Sequence, residues 1–253
     1  MDLKNKTAVI TGGTSGLGAE TCRGLSAAGA KIAIIGRNPA RGKAMEEELG
    51  QNARFFPCDA TVESAVETCV KQVVEQFGAI HILCNVAGIS IPGAILGNHG
   101  LLPMENYRKV METNVTATIF FMRFCAEAMR NNPPDEDGLR GVIVNTSSLA
   151  SFGGERGQSV YAASKGAINS MIVPAAKDLA KYGIRVMGVS PGFFQTPIYD
   201  HVAPEAIALR KELPIFPKRM GKPTEFAGAV RFCIENDYMN AQIIRVDAGA
   251  QLR

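Results

Sequence analysis

Tyr161 and Lys165 stand four residues apart in the stretch YAASK, with only small residues between them. On a helix this spacing puts both side chains on one face, so the ammonium would lie beside the phenol. A nearby positive charge favours tyrosinate, and a sheltered Tyr161 whose pKa falls well below about 10 could transfer protons near neutral pH. The alternative is a helix face on which the lysine stem covers apolar surface.

A glycine-rich stretch, VITGGTSGLG, precedes the first predicted helix. Gly12, Gly16 and Gly18 have no Cβ, so the backbone can turn tightly and approach a pyrophosphate, whose charge the free N–H groups of the helix start attract. The spacing Gly-x-x-x-Gly-x-Gly differs from the Gly-x-Gly-x-x-Gly of the common dinucleotide fingerprint. A glycine turn that binds no ligand is the alternative.

Two further loops follow predicted strands. The stretch NVAG at 85–88 has small residues that let a ligand approach the end of the fourth strand. Asp59, just beyond the third strand, suits either an adenine amino group or the cap of the following helix. Because ligands of open parallel sheets bind outside the carboxyl ends of the strands, these loops are predicted to share one crevice.

Short β-branched segments alternate with amphipathic segments along the whole chain. The predicted strands cover 7–10, 31–35, 53–56, 80–84, 141–145, 184–189 and 242–246. The segments between them have the length and apolar spacing of helical crossovers. The 253 residues are therefore predicted to form one α/β domain, 1–253, around a doubly wound parallel sheet of seven strands.

Composition narrows the class of protein. A net charge of +3, without a block of one sign, argues against nucleic-acid binding. The six cysteines lie far apart and the three histidines do not cluster, so we predict reduced core thiols and no metal site. The uncharged stretch 76–104 contains proline, asparagine and glycines, so a buried strand with loops is favoured over a membrane span.

The chain reaches a strand pattern by Thr7, so we expect no cleaved leader and a cytoplasmic protein. A mitochondrial protein without a cleaved transit peptide is the alternative. The segment 113–130 is apolar on nearly every side and so needs burial on two faces. One face would cover the sheet and the other a second subunit, which predicts a homodimer or homotetramer. A thick monomer core is the alternative.

The motifs together resemble the short-chain dehydrogenase/reductase family over essentially the whole chain. TGGTSGLG, NVAG, Asn114, NTSS, YAASK and PGFFQTP occur in the order that this family has. The resemblance implies a Rossmann-type fold, with a cofactor half at about 1–145 and a catalytic half at about 146–253. It also implies a nicotinamide cofactor, and it agrees with a dimeric or tetrameric assembly.

The resemblance also implies roles for four side chains. Tyr161 is the acid or base, Lys165 supports its phenol and the nicotinamide ribose, and Ser148 holds the substrate oxygen. Ser148 is chosen over Ser147 because the family's serine lies thirteen residues before the tyrosine; a local turn serine is the alternative. Asn114 would support Lys165 through a water, or would be only a buried amide that distorts its helix.

Cofactor contacts follow from the same resemblance, with Thr196 placed at the nicotinamide carboxamide. The cofactor positions predicted from the residues and the resemblance together are Gly12, Thr14, Ser15, Gly16, Leu17, Gly18, Arg37, Asp59, Ala60, Asn85, Ala87, Gly88, Tyr161, Lys165, Pro191, Gly192 and Thr196.

Longer stretches are similar to family members that act on 3-hydroxyacyl-CoA thioesters or hydroxysteroids: NNPPDEDGLRGVIVNTSS, YGIRVMGVSPGFFQTP and PIFPKRMGKPTEF. The resemblance therefore implies interconversion of a secondary alcohol and a ketone, with a 3-hydroxyacyl-CoA or a hydroxysteroid as the substrate. A 3-oxoacyl-thioester (acyl-carrier-protein) reductase and a non-catalytic dinucleotide-binding scaffold are the alternatives. The segment 198–220 could form a lid. Its cations either meet coenzyme A phosphates or form a solvated face: Arg210, Lys211, Lys218 and Arg219.

The end of the second predicted strand bears on the choice of cofactor. NAD-using dehydrogenases carry an acidic residue there, which binds the adenosine ribose. This chain has Gly36, followed by Arg37, whose guanidinium can bind a 2′-phosphate bidentately, with Arg41 as further support. These residues predict NADP, with NAD as the alternative. An ordinary loop, in which Asn38 caps a helix and Arg37 is solvated, also fits.

Overall fold

The computed structural model describes residues 1–98, 100–197 and 204–251. The strands in this part of the chain are β1 (Thr7–Thr11), β2 (Lys31–Gly36), β3 (Ala53–Pro57), β4 (Ile82–Asn85), β5 (Leu96–Gly97), β6 (Gly100–Leu101), β7 (Gly141–Thr146), β8 (Ile184–Pro191) and β9 (Ile243–Val246). The helices are α1 (Gly16–Ala27), α2 (Pro39–Leu49), α3 (Glu63–Phe77), α4 (Met104–Met111), α5 (Ala117–Met129), α6 (Ser159–Ala180), α7 (Pro204–Glu212) and α8 (Pro223–Glu235).

Seven of the strands form one parallel sheet in the order β3-β2-β1-β4-β7-β8-β9. The chain first builds outward from β1 through β2 to β3 and then crosses to β4 on the other side of β1. This reversal leaves a crevice between the carboxyl ends of β1 and β4, where doubly wound proteins bind ligands. The predicted seven-stranded doubly wound fold is confirmed.

The sheet is covered on both faces because successive strand residues point to opposite sides. Ile10 packs into a core shared with α1 and α8, whereas Val9 packs into a second core shared with α3, α5 and α6. This burial on both sides explains the near-continuous apolar strands. The six cysteines are free thiols buried within or beside these cores.

The apolar segment predicted at 113–130 is not a single α-helix. A π-helical turn, Glu112–Thr116, separates α4 from α5 and contains the buried Asn114. Extra residues of this kind in a helix often occur at functional sites. In contrast, α6 continues through Pro174 to Ala180, so the proline does not end the helix.

Two loop regions flank the central strands. The stretch 130–141 connects α5 to β7 at the surface. The stretch 76–104 contains the end of α3, strand β4, a loop and the antiparallel β5–β6 hairpin, which the sequence did not predict. No helix in the described ranges is long and apolar enough to cross a membrane.

Candidate active site

The glycine turn between β1 and α1 has a backbone that larger residues could not adopt. Gly12 has a φ of +68°, and a Cβ on it would lie 3.0 Å from the Cα of Ala87. A Cβ on Gly18 would collide with the carbonyl oxygen of Gly12. The turn therefore lies close to the 85–88 loop. The free N–H groups at the start of α1, which follows the turn, can bind a phosphate group. These residues fit the pyrophosphate of a dinucleotide.

The 85–88 loop is held to β1 by a side chain that the sequence analysis did not single out. The Oγ1 of Thr11 accepts hydrogen bonds from the backbone N–H of Val86 (3.0 Å) and of Ala87 (3.1 Å). Asn85 was predicted to contact cofactor, but its side chain is buried and donates to Asn145 Oδ1 (2.9 Å). Its role in this structure is to join β4 to β7.

An open cleft of about 480 Å³ runs beside these loops. Most of the predicted site residues line it: Gly12, Ser15, Gly16, Leu17, Gly18, Ala87, Gly88, Ser148, Tyr161, Lys165, Pro191, Gly192 and Thr196. Thr196 lies beside the glycine turn, with its Cβ 3.6 Å from the point where a Cβ on Gly16 would be. The cleft thus brings the loops after β1, β4, β7 and β8 together.

Lys165 lies on α6 with its ammonium buried beside the end of β7. Its Nζ donates to the carbonyl oxygen of Thr146 (2.9 Å) and lies 6.0 Å from the centroid of the Tyr161 ring. Burial lowers the pKa of Lys165 to about 8. One donor of the ammonium is used by Thr146, which leaves others for a ribose in the cleft.

Asn114 lies behind the cleft rather than in its wall. Its Oδ1 accepts from the N–H of Ile89 (2.8 Å), and its Nδ2 donates to the carbonyl of Ile89 (2.9 Å) and to Ser164 Oγ (3.0 Å). Asn114 Oδ1 and Lys165 Nζ each lie 3.3 Å from the point where a Cβ on Gly88 would be. The two polar atoms therefore face the same small space, which suits one bridging water.

The two neighbouring serines after β7 point in different directions. Ser148 lines the cleft together with Tyr161, close enough to its phenol to affect the pKa, and the Ser148 Oγ accepts from the N–H of Ala150 (3.1 Å). The Oγ of Ser147 is buried and lies 3.3 Å from the carbonyl oxygen of Lys165. The hydroxyl of Ser148 is thus the one that reaches the phenol.

The protonation of Tyr161 differs from the simplest expectation. Burial raises the pKa of Tyr161 above its ordinary value, and the nearby Ser148 hydroxyl opposes this only in part. The expected lowering of its pKa is therefore absent from the protein on its own. It would need the added positive charge of an oxidised nicotinamide beside Lys165.

The adenosine end of the site is exposed. Strand β2 ends at Gly36, where a Cβ would lie 2.7 Å from Thr14 Cγ2, and the next residue, Arg37, extends into solvent. Asn38 Oδ1 accepts from the N–H of Arg41 (3.0 Å) and caps α2. The predicted Asn38 cap is present, and it leaves the Arg37 side chain at the surface.

Asp59 does not cap the helix that follows it. Its Oδ1 accepts from both the N–H (3.0 Å) and the Oγ1 (2.8 Å) of Thr61, whereas the N-cap of α3 is Val62. The predicted helix cap is therefore wrong, because the carboxylate folds onto the preceding turn. These bonds, and more weakly the charge of Arg37, lower the pKa of Asp59. Ala60 lies in the same turn and packs against the core.

The structure describes only part of the predicted lid, 198–220, because 198–203 lie outside the described residues. Arg210, on α7, lines the cleft, with its guanidinium 5.7 Å from the Phe193 ring centroid and 3.9 Å from Glu155. The other cations of this segment do not line the cleft. Arg219 pairs with Glu225 (2.6 Å), Lys218 donates to the carbonyl of Glu212 (2.7 Å), and Lys211 is exposed.

Comparison with known proteins decides the family. A model of the short chain dehydrogenase family matches residues 6–206. The chain belongs to the short-chain dehydrogenase family. The prediction made from the motifs is confirmed, and this short-chain dehydrogenase is an oxidoreductase that uses a nicotinamide dinucleotide, NAD or NADP.

Individual relatives cover the dehydrogenase from end to end. It is 38% identical to human 3-hydroxyacyl-CoA dehydrogenase type-2, over 99% of this chain and 97% of the relative. It is 32% identical to human 3-oxoacyl-[acyl-carrier-protein] reductase, over 98% and 99% of the two chains. A crystal structure of 3-hydroxyacyl-CoA dehydrogenase type-2 from Mycobacterium avium superposes with a TM-score of 0.94 at 33% identity, covering 98% and 97%.

Proposed function

We propose that this dehydrogenase interconverts a secondary alcohol and a ketone of the 3-hydroxyacyl-CoA type, with NADP as its cofactor. The observation that carries the proposal is the set of Ser148, Tyr161 and Lys165, which line one cleft beside the glycine turn. The substrate class is supported by the relatives and by the loop stretches that resemble them.

The chain's own groups suffice to hold and move one proton. When bound, the nicotinamide ring supplies or accepts a hydride. The Ser148 hydroxyl holds the substrate oxygen beside the phenol, and Tyr161 donates its proton to a ketone oxygen or, as tyrosinate, removes the proton of an alcohol. Lys165 stabilises the tyrosinate by its charge, and Asn114 with a water would connect Lys165 to solvent.

The surface beside the cleft suits an apolar substrate portion. Ile89 and Pro92 line the cleft, and the loop continues into the β5–β6 hairpin, where Leu96 is 72% and Leu101 79% exposed. The N–H of Gly93 donates to the carbonyl of Gly157 (2.9 Å), which joins this loop to the segment before α6. An acyl chain leaving the cleft would meet these side chains.

A substrate panel tests the reaction. We expect NADPH-dependent reduction of a short 3-oxoacyl-CoA thioester, and loss of that reduction in Tyr161→Phe. Preference for the acyl-carrier-protein thioester or a 3-ketosteroid would replace the substrate class. Tight cofactor binding without turnover of any ketone or thioester would favour the non-catalytic scaffold.

The cofactor proposal depends on charge. The site has no carboxylate at Gly36 to repel a 2′-phosphate, and it has two exposed cations near that point, Arg37 and Arg41. Comparing kcat/KM for NADPH and NADH with the best substrate tests it. Higher kcat/KM with NADH would overturn it.

We further propose a homodimer or homotetramer. An apolar hollow of about 600 Å³ lies between α5 and α6, lined by Met122, Phe124, Met171 and Leu179 among others, and Ile119 is 41% exposed beside it. Phe124→Glu would place a charge in this hollow and should yield monomer or aggregate in sedimentation. A compact wild-type monomer at micromolar concentration would contradict the proposal.

The free, buried cysteines fit a reducing compartment, and we propose the cytoplasm. Fractionation of cells that express the natural chain tests this. Recovery with mitochondria would establish the alternative instead.

A further inference from the structure

A partly buried polar cluster connects the turn that carries Ser148 to helix α6. Ser151 ends the short 3₁₀ turn Leu149–Ser151 that follows Ser148. Its Oγ donates to the carbonyl oxygen of Ser148 (2.6 Å), accepts from the Nδ2 of Asn169 (2.7 Å) and lies 3.2 Å from the Oγ of Ser147. One donor and two acceptor positions are the full capacity of a serine hydroxyl.

Asn169 lies one helical turn after Lys165 on α6. Its bond to Ser151 therefore joins the helix of Tyr161 and Lys165 to the turn of Ser148. Ser147 makes a second link, because its Oγ also lies 3.3 Å from the carbonyl oxygen of Lys165. The phenol and the hydroxyl that must meet on the substrate oxygen come from different elements, and this cluster lies between them.

The amide of Asn169 is costly where it lies. Its Oδ1 is buried and has no hydrogen-bond partner among the described residues. A buried polar atom without a partner destabilises a fold, whereas an apolar side chain of similar shape would not carry that cost. Stability alone therefore does not account for an asparagine at this position.

We propose that Ser151 and Asn169 are positioning residues, which fix the Ser148 hydroxyl against the Tyr161 phenol by tying the Ser148 turn to α6. The inference rests on the proposed dehydrogenase function. Loss of the cluster would release the Ser148 carbonyl and let the turn shift. A displacement of about 1 Å at a reacting group reduces turnover by about 100-fold.

A double-mutant cycle separates positioning from simple stabilisation. Ser151→Ala and Asn169→Val should each lower kcat about tenfold or more, with the Kd for cofactor unchanged. In Ser151→Ala the Asn169 amide loses its partner, whereas the double variant no longer contains that amide. The Tm of the double variant should therefore be higher than that of Ser151→Ala, while its kcat stays low. If kcat returns together with Tm in the double variant, the cluster is only structural and the inference is wrong.

Titration of the phenol gives a readout that needs no substrate. A Ser148 hydroxyl held beside the phenol stabilises the tyrosinate and lowers the pKa of Tyr161, so a shift of the Ser148 turn in Ser151→Ala should raise that pKa. Ultraviolet difference titration, with Tyr161→Phe as the reference, measures the pKa of Tyr161. The pH at which kcat falls on the alkaline side of its profile should move upward with that pKa. Ser151→Thr keeps the hydroxyl and should retain wild-type values.

The outcomes distinguish the two proposals. An unchanged pKa of Tyr161 in Ser151→Ala overturns the positioning role, whether or not a substrate has been found. Wild-type protein that turns over no ketone or thioester, but whose Tyr161 pKa rises in Ser151→Ala, would refute the proposed reaction and retain the positioning of Ser148.

Discussion

The two ends of the cleft hold their key side chains in opposite ways. At the catalytic end, the buried Lys165 donates a hydrogen bond to the carbonyl oxygen of Thr146, and the Ser148 Oγ accepts one from the N–H of Ala150. At the proposed adenosine end, Arg37 is exposed next to the end of β2, and its charge contributes to lowering the pKa of Asp59. Chemistry needs a fixed geometry, whereas discrimination between two cofactors needs only a charge of the right sign within reach.

The largest effect should come from replacing Tyr161, the group that transfers the proton in the proposed reaction. Tyr161→Phe keeps the ring and its packing and removes the hydroxyl, so kcat should fall by about 10²- to 10⁴-fold. The Kd for cofactor should change little, because the phenol acts on the substrate. Steady-state kinetics and calorimetric cofactor titration measure the two quantities.

Near-normal turnover in Tyr161→Phe would remove the phenol from the mechanism. A large loss of cofactor affinity would instead mean that the ring, rather than the proton, is what the site needs. Either result would break the distinction between the two ends, because the catalytic end would then act by binding alone.

The sequence predicted the framework of both ends better than their details. Strand patterns and glycine turns are local properties, so all seven sheet strands were predicted within a few residues. The π-turn around Asn114 was not predicted, since it depends on bonds to Ile89 and Ser164 that lie far along the chain. Propensity carries no information about such tertiary contacts.

The sequence also does not reveal which way a polar side chain points. Asn85 was expected to face the cofactor, and only the pairing of β4 with β7 reveals that its amide reaches Asn145 instead. Ser151 and Asn169 carried no recognisable motif, because their connection crosses from a turn to a helix. The exposure of Arg37 was easier to predict, since a charged side chain next to a strand end needs no tertiary partner.

The second prediction reverses the charge at the adenosine end. Gly36→Asp with Arg37→Leu should weaken NADP binding by about 2 to 4 kcal/mol, through loss of a charge-assisted pair and gain of repulsion. A Cβ on Gly36 would press on Thr14 Cγ2, so Thr14→Ala should be added to relieve that contact. Kd values for NADP and NAD in the triple variant test it.

Thr14→Ala alone is the matched control and should leave the NADP to NAD ratio unchanged. kcat at saturating cofactor should also stay within about threefold of wild type in the triple variant, because the catalytic end is untouched. An unchanged Kd for NADP in the triple variant would refute the role of Arg37.

The third prediction is that replacing Lys165 stabilises the fold and abolishes turnover. Burial lowers the pKa of Lys165 to about 8, so the folded protein bears a cost whenever the ammonium is charged. Lys165→Met should raise the free energy of unfolding at pH 7 by about 1 to 3 kcal/mol and abolish turnover. Denaturant unfolding measures the first, and steady-state kinetics the second.

The sign of the pH dependence follows from proton binding. Between about pH 8 and the higher pKa of an unfolded lysine, the unfolded wild type binds more protons than the folded protein, so wild-type stability due to Lys165 rises with pH. The advantage of Lys165→Met should therefore be full below pH 8 and shrink above it. An advantage that grows with pH would mean that Lys165 is stabilised as the ammonium.

The smallest effect should be a difference in salt sensitivity between the two cofactors. Arg37 and Arg41 are exposed, so their attraction for a 2′-phosphate is screened as the Debye length falls from about 10 Å at about 0.1 M salt to about 3 Å at about 1 M. NAD and NADP share the pyrophosphate held by the glycine turn and differ only at the ribose. The ratio of their Kd values should therefore move toward NAD by about two- to fivefold across this range, and Arg37→Ala should remove most of that movement. Equal salt dependence for the two cofactors in the wild-type protein would show that the 2′-phosphate is not read by an exposed cation, and the contrast between a buried catalytic end and a charge-reading adenosine end would fail.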